Sequence, residues 1–257
     1  MKILISNDDG YQAPGIVALH DALVQLPGVQ VEVIAPEHNN SAKSNALTLS
    51  APLYVHRAAH NGFRYVTGTP ADCVHIALKG LLEYRPDLVV SGINNGANMG
   101  DDTIYSGTVG AAMEAYLFGI PAIAFSQIEK GWGHVDAAAH VAQRLVQRIQ
   151  RERMLEGPAW LLNVNIPNRP LDALKPIKVC RLGRRHAAEK VITQDSPRGE
   201  TMYWIASAGG AKDSGEGTDF HATAEGHVAL TPLQIDLTDH AQLGEWRQAV
   251  ARLDAQA

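Results

Sequence analysis

The segment that decides the fold is ILISNDDGYQAPGI, residues 3–16, where an apolar run passes through two carboxylates into a proline. The run at its start has the aliphatic composition of a strand that is buried on both faces. Pro14 suits the first turn of a helix, because its missing N–H would have no helical partner there. Apolar side chains then recur at helical spacing: Ile16, Leu19, Leu23 and Leu26. The segment therefore predicts a strand, a polar turn and a helix, which together begin a βαβ unit.

Strands and helices keep alternating up to about residue 150. We predict strands in five apolar or alternating segments: 29–36, 52–56, 63–68, 85–93 and 120–126. We predict helices in three segments, the first opening with a Thr-Pro cap and the second rich in small residues: 69–82, 108–119 and 135–150. This order predicts an α/β fold with a doubly wound, Rossmann-like and mostly parallel sheet.

The C-terminal part of the chain has a different composition. Three strand patterns and a terminal helical pattern occur there: 159–167, 176–182, 226–238 and 240–253. Residues 181–224 are rich in Gly, Ser, Asp and Arg, which favours hairpins and loops. We therefore expect a single domain over residues 1–257. Its core would comprise about 1–180 with a closing strand and helix at about 225–257, and about 181–224 would form a loop-rich appendage.

Composition and charge exclude several classes of protein. The net charge of −5 gives no general attraction to nucleic acids or anionic membranes. Cys73 and Cys180 stand 107 positions apart and form no C-x-x-C motif, which excludes a disulfide framework and fits a reducing compartment. No apolar stretch reaches the roughly 18 residues of a membrane span, and acidic residues interrupt the N-terminal apolar run before it could be a leader. We expect a cytoplasmic protein that binds neither membranes nor nucleic acids.

One basic segment, RLGRRHAAEK at residues 181–190, allows two interpretations. Arg181, Arg184 and Arg185 could form a small patch that binds nucleic acid. In a chain of acidic net charge, a solvated face or a contact between subunits is the better interpretation.

Polar clusters stand at the predicted carboxyl ends of three strands, which is the edge where open α/β sheets bind ligands. They are Asn7-Asp8-Asp9-Gly10, His38-Asn39-Asn40-Ser41, and Asn94-Asn95 with Asn98. A fourth group, Ser106-Gly107-Thr108, precedes the helix of small residues, whose first N–H groups can bind an anion. The sequence therefore indicates a ligand site at this edge of the sheet.

The adjacent carboxylates Asp8 and Asp9 repel each other unless a cation or a proton lies between them. We interpret them as ligands of a divalent metal ion, with neutral oxygens from Ser41 and Asn94 completing the set. An all-oxygen set suits Mg²⁺, Mn²⁺ or Ca²⁺ rather than zinc. The alternative is that the two carboxylates only form a turn or cap the helix at Pro14.

The other polar groups also have ordinary explanations. Asn and Gly dominate common turns, although the length of the segment 94–107 favours a functional loop. Ser106 and Thr108 could simply cap the following helix. Because capping and anion binding use the same groups, the sequence leaves these two roles open.

At these motifs the sequence closely resembles the SurE family, the stationary-phase survival proteins that act as nucleotidases. The matching segments are ISNDDG with APGI, APEHNNS with SNALT, GTPADCV, and PDLVVSGINNGANMGDDTIYSGTVGAAMEA. Two C-terminal segments match as well, SPRGETMYWI and GTDF followed by EGHVALTPLQIDL. The resemblance extends over nearly the whole chain.

The resemblance implies a set of roles for residues of this sequence. The metal ligands would be Asp8, Asp9, Ser41 and Asn94, holding one divalent ion per subunit, Mg²⁺ or Mn²⁺. Five residues would contact phosphate: Asn39, Asn98, Ser106, Gly107 and Thr108. The position after the loop serine, usually Gly in the family, is Ala42 here, which would restrict the backbone without removing a ligand.

The resemblance also implies an activity and an assembly. The expected reaction is phosphate release from nucleoside 5′- and 3′-monophosphates, with short-chain polyphosphate as a further substrate. A homodimer or homotetramer would form by exchange of C-terminal elements, with the loop-rich region 183–236 of this chain as the exchanging part.

In the mechanism that we expect, Asp8 or Asp9 also orients or deprotonates the attacking water, which makes both candidate catalytic residues. Three alternatives remain. Asp8 could be a phosphorylated nucleophile, although the usual second Asp two residues on is replaced by Gly10. A Ser-His-Asp hydrolase is disfavoured because no G-x-S-x-G motif occurs. A non-catalytic, metal-dependent nucleotide sensor would use the same phosphate site.

Overall fold

The computed structural model describes residues 1–184, 190–206 and 209–254. Through residue 151 it alternates strands and helices in the order β1 (Lys2–Ser6), α1 (Pro14–Leu23), β2 (Gln30–Pro36), β3 (Val55–Arg57), β4 (Arg64–Val66), α2 (Pro70–Ile76), β5 (Leu88–Asn95), α3 (Gly107–Leu117), β6 (Ala122–Gln127) and α4 (Val135–Arg151). A π-helical turn, Ala77–Leu81, extends α2, and a 3₁₀ helix, Gly100–Ile104, precedes α3.

The remaining elements close the sheet and add an exposed hairpin. They are β7 (Leu161–Ile166), a 3₁₀ turn (Leu171–Ala173), β8 (Lys175–Val179), β9 (Ile192–Asp195), β10 (Thr201–Trp204), α5 (Asp219–Ala224), β11 (His227–Leu233) and α6 (Leu243–Asp254). β9 and β10 pair with each other as an antiparallel ribbon apart from the main sheet.

Within the described residues, nine strands form one sheet in the order β3-β4-β2-β1-β5-β6-β7-β11-β8. The central strands are parallel, with Ile5 of β1 beside Val33 of β2 on one side and beside Val90 of β5 on the other. Only the β3–β4 and β7–β11 pairs in this sheet are antiparallel. The predicted α/β fold with a doubly wound, mostly parallel sheet is therefore confirmed.

The sheet is covered on both faces, as the aliphatic composition of its central strands predicts. On one face Ile3 and Ile5 of β1 belong to a buried cluster with apolar side chains from α1 and α4: Ile16, Leu19, Leu23, Val146 and Ile149. On the other face Leu4 belongs to a cluster with side chains from α2 and α3: Cys73, Val74, Val109 and Ala112. Alternate residues of one strand thus contribute to opposite layers of the core.

Several boundaries differ from the predicted ones for local reasons. α1 ends at Leu23 rather than Leu26, and Leu26 is buried in the turn that follows, so its apolar character reflected the core and not the helix. The Asn/Gly-rich loop contains the 3₁₀ helix Gly100–Ile104, which has no hydrophobic periodicity to reveal it. The terminal helix begins at Leu243 rather than 240, after a turn around Asp239.

The predicted appendage, 181–224, contains two kinds of structure in its described part. Both strands of the β9–β10 hairpin are exposed along their whole length. In contrast, α5 packs against β11, and its Asp219 is fully buried. Residues 185–189 and 207–208 lie outside the described residues, so the basic position at Arg185 has no structural account.

The two cysteines are free and buried, as expected for a chain without a disulfide framework. Among the helices in the described ranges, none combines the length and the apolar content that a membrane span requires.

One glycine controls how closely α1 packs against the end of β5. A Cβ atom at Gly15 would lie 2.0 Å from the carbonyl oxygen of Ile93 and 2.9 Å from the ring of Trp132. Neither contact is possible without movement, so the helix would have to shift away from the strand.

We therefore expect Gly15→Ala to lower the free energy of unfolding by about 2–3 kcal/mol, measured by urea denaturation, because the added methyl overpacks a rigid contact. Gly80→Ala is the matched control, because a Cβ there meets nothing within 4 Å. It should leave stability unchanged or raise it by up to about 1 kcal/mol. Equal effects of both substitutions would contradict the packing argument.

Candidate active site

A cavity of about 430 Å³ opens at the carboxyl ends of the central strands, beside the point where the chain switches from one side of β1 to the other. β1 and β5 form its floor, the loop after β2 one wall, and the loop after β6 the opposite wall. Its lining is mostly polar: Asp8, Asp9, Asn39, Ser41, Ala42, Asn94, Asn95, Gly96, Ala97, Asn98, Asp102, Tyr105, Ser106, Ile128 and Lys130.

Seven of the nine residues predicted for the site line this one cavity: Asp8, Asp9, Asn39, Ser41, Asn94, Asn98 and Ser106. The other two, Gly107 and Thr108, are buried behind it in the first turn of α3. The structure thus brings together residues that are up to 98 positions apart in the sequence. Which of these residues bind a metal ion and which bind phosphate stays a prediction.

Asp8 is almost completely buried, with 3% of its surface exposed. Thr108 donates a hydrogen bond from its hydroxyl to Asp8 Oδ1. Burial raises the pKa of Asp8 from 3.8 to about 6; the neighbouring charge of Asp9 adds to this rise, and the Thr108 hydrogen bond opposes it. Thr108 therefore contacts a carboxylate, and the phosphate contact that the family resemblance implies for it stays a prediction.

Gly107 has a steric reason to be a glycine. A Cβ atom there would lie 2.8 Å from Asp8 Cβ and 3.1 Å from Pro70 Cγ. The first turn of α3 can approach β1 this closely only without a side chain, and that approach brings the Thr108 hydroxyl to Asp8.

Asp9 is less buried than Asp8 and is held by two donors. Its Oδ1 accepts a hydrogen bond from Asn39 Nδ2 at 3.0 Å, and its Oδ2 accepts one from the backbone N–H of Asn95 at 2.9 Å. Burial raises the pKa of Asp9 above its ordinary value, while these two hydrogen bonds and the charge of Lys130 lower it. The carboxylate is thereby fixed between the loop after β2 and the end of β5.

The alternative role of the two carboxylates as helix caps is wrong. The N-cap of α1 is Ala13, and no side chain makes a capping hydrogen bond there. Ser106, in contrast, does cap a helix: its Oγ accepts a hydrogen bond from the backbone N–H of Val109 at 3.1 Å. Because Ser106 also lines the cavity, capping and a ligand contact remain compatible for it.

Two asparagines from the segment after β5 are oriented by hydrogen bonds. Asn94 Nδ2 donates to the carbonyl oxygen of Gly96 at 2.8 Å, which leaves its Oδ1 as the atom suited to a cation. Asn98 Nδ2 donates to Ser126 Oγ at 2.8 Å. The backbone of Asn98 is clamped by the buried amides of Asn163 and Asn165, both on β7.

The loop that carries Ser41 is fastened at both ends. Near its start, the backbone N–H of Asn40 donates to the carbonyl oxygen of Asp8 at 2.7 Å. Near its end, the buried carboxylate of Asp72 accepts hydrogen bonds from Thr48 N and Thr48 Oγ1, at 2.8 and 2.6 Å. The same carboxylate accepts from Thr69 N at 2.9 Å, which makes it part of the capping box of α2. Asp72 therefore joins this loop to a helix terminus.

Ala42 adopts a left-handed backbone conformation, with φ of +60°. This conformation costs about 1 kcal/mol or more for a residue with a Cβ and little for glycine. The structure therefore explains why glycine would suit the position next to Ser41, and it shows that alanine preserves the turn.

The donor set fits a hard divalent cation. Asp8 and Asp9 bring two carboxylates into one cavity, where burial disfavours their charged forms, and Asn94 directs a neutral oxygen to the same space. Ser41 supplies a hydroxyl on the facing wall. No cluster of three or more His, Cys, Asp or Glu suited to a metal occurs in the residues described, so a metal here would depend on these neutral oxygens.

Sequence reasoning missed three polar or charged residues of the cavity, Asp102, Tyr105 and Lys130, and it named Asn95 in a polar cluster without giving it a role. Lys130 lies three positions after the end of β6, which is a fourth strand end at the same edge of the sheet. Applying the strand-end argument to β6 would have found it. Asp102 and Tyr105 come from the 3₁₀ segment and its C-cap, whose position no sequence pattern indicated.

In the described part of the basic segment after β8, two arginines form ion pairs within the chain. Arg181 forms an ion pair with Asp213 at 2.7 Å, and Arg184 forms one with Asp101 at 3.0 Å. These pairs favour the interpretation of this segment as a solvated face or a subunit contact.

Comparison with known proteins identifies the family. The family model described as survival protein SurE matches residues 3–189. A protein of Variovorax paradoxus named 5′-nucleotidase SurE is 87% identical over 98% of this chain and 99% of its own length. The chain belongs to the SurE family.

A second relative with the same name, from Albidiferax ferrireducens, is 69% identical over 98% of this chain and 99% of its own length. The crystal structure of a SurE protein from Aquifex aeolicus is 41% identical and covers 95% of this chain and 98% of that one, with a TM-score of 0.81. The SurE fold thus extends over nearly the whole chain.

The raised pKa of Asp8 gives this SurE protein a testable pH dependence. A carboxyl group whose pKa is higher in the native state than in the unfolded state stabilises the native state below the unfolded pKa. That contribution is lost as the pH rises through the native value, here between about 4 and 6. At pH 7 the loss is up to about 3 kcal/mol in the metal-free protein.

We expect Asp8→Asn to stabilise the metal-free protein at pH 7 by up to about 3 kcal/mol and to flatten its stability between pH 4 and 6, measured by urea denaturation. Excess Mn²⁺ should stabilise the wild type and have little effect on the variant. Asp21→Asn, at an exposed carboxylate of α1, is the control. If Asp8→Asn is less stable than the wild type at pH 7 without metal, the burial of the charged Asp8 carboxylate does not destabilise the native state as we expect.

The fastening of the Ser41 loop by Asp72 can be tested separately. Asp72→Asn should lower the free energy of unfolding by about 1–3 kcal/mol, because an amide nitrogen would face N–H donors in a buried site. It should also weaken Mn²⁺ binding in calorimetry, because the loop is released. Thr48→Val removes only the hydroxyl contact and should have a smaller effect on both quantities. Unchanged Mn²⁺ affinity in Asp72→Asn would disprove the link between the hydrogen bonds of Asp72 and the active-site cavity.

Proposed function

We propose that this SurE protein is a divalent-metal-dependent phosphomonoesterase that releases phosphate from nucleoside 5′- and 3′-monophosphates. The observation that carries the proposal is the pair Asp8 and Asp9, one buried and one half-buried, side by side at the switch point of the sheet in a polar cavity of about 430 Å³. The 5′-nucleotidase name of relatives up to 87% identical supports the same activity. We also propose short-chain polyphosphate as a further substrate.

In the proposed mechanism Asp8, Asp9, Ser41 and Asn94 hold one Mg²⁺ or Mn²⁺ ion. When bound, this ion supplies Lewis-acid chemistry for an attack by water on phosphorus. Asp9 keeps one orientation because Asn39 and the Asn95 N–H each bind one of its oxygens. Asp8 keeps its orientation through Thr108. Both carboxylates thus enter the reaction without having to reorganise.

The remaining polar groups of the cavity would bind the substrate. Ser106, at the N-cap of α3, places a hydroxyl beside the partial positive charge of the helix N-terminus, where a phosphoryl oxygen is stabilised. Asn98 is held by β7 and by Ser126, so its side chain stays in place when the substrate leaves. Asn39 can contact phosphate only through atoms that its bond to Asp9 does not use.

One of the two carboxylates would also orient the attacking water or accept its proton. Asp9 is the better candidate because it is partly exposed, whereas Asp8 is almost completely buried. A base in this position would lose its function when converted to an amide, even where the amide still binds the metal ion.

The test is phosphate release from 5′-AMP, 3′-AMP and tripolyphosphate by chelator-treated protein, with and without added Mn²⁺ or Mg²⁺. We expect release only with metal, and a decrease of about 10²–10³-fold in kcat for Asp8→Asn and Asp9→Asn. Asp21→Asn should keep the wild-type rate. Nucleotide binding without release under any metal would favour a sensor, and a trapped phosphoryl group on Asp8 would favour the aspartyl-phosphate route.

We further propose that the protein forms a homodimer or homotetramer through its C-terminal elements. Large apolar side chains are exposed on the β9–β10 hairpin and just after it, including Tyr203 at 70%, Trp204 at 57% and Ile205 at 93% exposure. α6 likewise exposes Trp246 and Leu253. A two-stranded ribbon is marginally stable alone, so a partner that covers these side chains would account for both features.

A further inference from the structure

Lys130 is held at the mouth of the cavity by its neighbours in the chain. The backbone N–H of Gly131 donates to Asn95 Oδ1 at 2.8 Å, and Gln127 Nε2 donates to the carbonyl oxygen of Gly131 at 2.7 Å. These bonds tie the loop after β6 to the carboxyl ends of both β5 and β6. The backbone of Lys130 is thus positioned by the same strand ends that form the floor of the cavity.

The side chain of Lys130 extends along the cavity wall formed by the segment after β5. Its Cγ lies 4.0 Å from the point that a Cβ on Gly96 would occupy. Lys130 lines the cavity and is exposed to solvent, and its charge acts on the carboxylate of Asp9. Because a lysine side chain is long and flexible, its ammonium group can reach a ligand in the cavity without a change in the backbone.

Lys130 brings a positive charge to a cavity whose other described charged side chains are carboxylates. Among the described residues the charged side chains of the lining are Asp8, Asp9, Asp102 and Lys130. Lys130 forms no ion pair within 4.0 Å in the described part of the chain, although its charge acts on Asp9. It is therefore a cation at the wall of a largely acidic cavity, and it forms no ion pair with a described carboxylate.

We propose that Lys130 binds the phosphoryl group of the substrate and that its charge sets the affinity of the site for phosphate dianions. The inference rests on the proposed function. It adds a residue that belongs neither to the sequence motifs nor to the proposed metal and phosphate ligands. The carboxylates of Asp8 and Asp9 repel a phosphate dianion, and one divalent ion offsets only their two charges, so the two charges of the dianion itself stay uncompensated. A cation on the β6 side, opposite the Ser41 loop, supplies the further attraction that the dianion requires.

A different role must be distinguished from this one. Lys130 could act only on Asp9, by favouring its charged form, without contacting the substrate. In that case removing the charge would change metal binding or the pH dependence of the site, and the affinity for phosphate at saturating metal would stay the same.

The test uses Lys130→Met, which keeps most of the aliphatic stem and removes the charge, and measures binding of inorganic phosphate by calorimetry at saturating Mn²⁺. We expect the Kd for phosphate to rise about tenfold, because a charge-assisted hydrogen bond is lost. The KM for 5′-AMP should rise by a similar factor while kcat changes less than about twofold. Lys130→Arg should restore most of the affinity, and the difference from wild type should shrink as salt is added.

Lys43→Met is the matched control, because Lys43 is an exposed lysine that lines the neighbouring cavity beyond the Ser41 loop and not the active-site cavity. It removes the same net charge and should leave the Kd for phosphate within about twofold of wild type. The proposal is overturned if Lys130→Met binds phosphate as tightly as wild type at saturating Mn²⁺, or if both lysine variants weaken binding equally.

The phosphate measurement also separates this inference from the proposed function. If the wild type binds phosphate but releases none from any nucleotide, the proposed nucleotidase activity fails while the comparison of Lys130→Met with wild type still decides the role of Lys130. If the wild type is an active nucleotidase and Lys130→Met matches it in both Kd and KM, only the present inference fails.

Discussion

The repulsion between Asp8 and Asp9 is the constraint that the rest of the site serves. The end of β1 holds both carboxylates in one cavity, and burial raises the pKa of each. Three separate parts of the chain supply the donors that partly offset this cost: Asn39 after β2, the Asn95 N–H at the end of β5, and Thr108 in α3. The two carboxylates can be buried only if α3 packs closely against β1 and the loop after β2 passes beside them, because these segments carry the donors Thr108 and Asn39.

Two kinds of evidence in the sequence predicted most of the fold and most of the cavity floor: the hydrophobic pattern, and the polar residues that follow the predicted strands. The parallel strands were predictable because residues such as Ile3, Leu4 and Ile5 face opposite layers of core, and burial on both faces requires an unbroken aliphatic run. The polar residues at the ends of β1 and β5 were predictable because parallel strands end at one edge of the sheet. In both cases a short sequence pattern determines a tertiary feature: an aliphatic run places a strand in the middle of the sheet, and a polar strand end lies at the binding edge.

Other features could not be predicted because they depend on contacts between distant parts of the chain. The role of Asp72 required knowing that residue 48 passes the N-terminus of α2, and a capping box alone does not reveal a second partner. The contact of Thr108 with Asp8 depends on how closely α3 approaches β1. The 3₁₀ segment that supplies Asp102 has no periodicity, and the lysine after β6 looks like any surface lysine until the sheet order places it at the cavity.

The hydrogen bonds of Asp72 to Thr48 and Thr69 couple the stability of a helix end to the position of the Ser41 loop. The Ser41 loop and the N-terminus of α2 share the carboxylate of Asp72, so the folding equilibrium of the first turn of α2 and the binding of the proposed ion to this loop would be thermodynamically linked. A substitution that strengthens or weakens this helix end would therefore act on the proposed ion site from outside the cavity. With the proposed ion bound at Ser41, a change in the thermal stability of α2 would also change the concentration of free divalent cation that the protein requires.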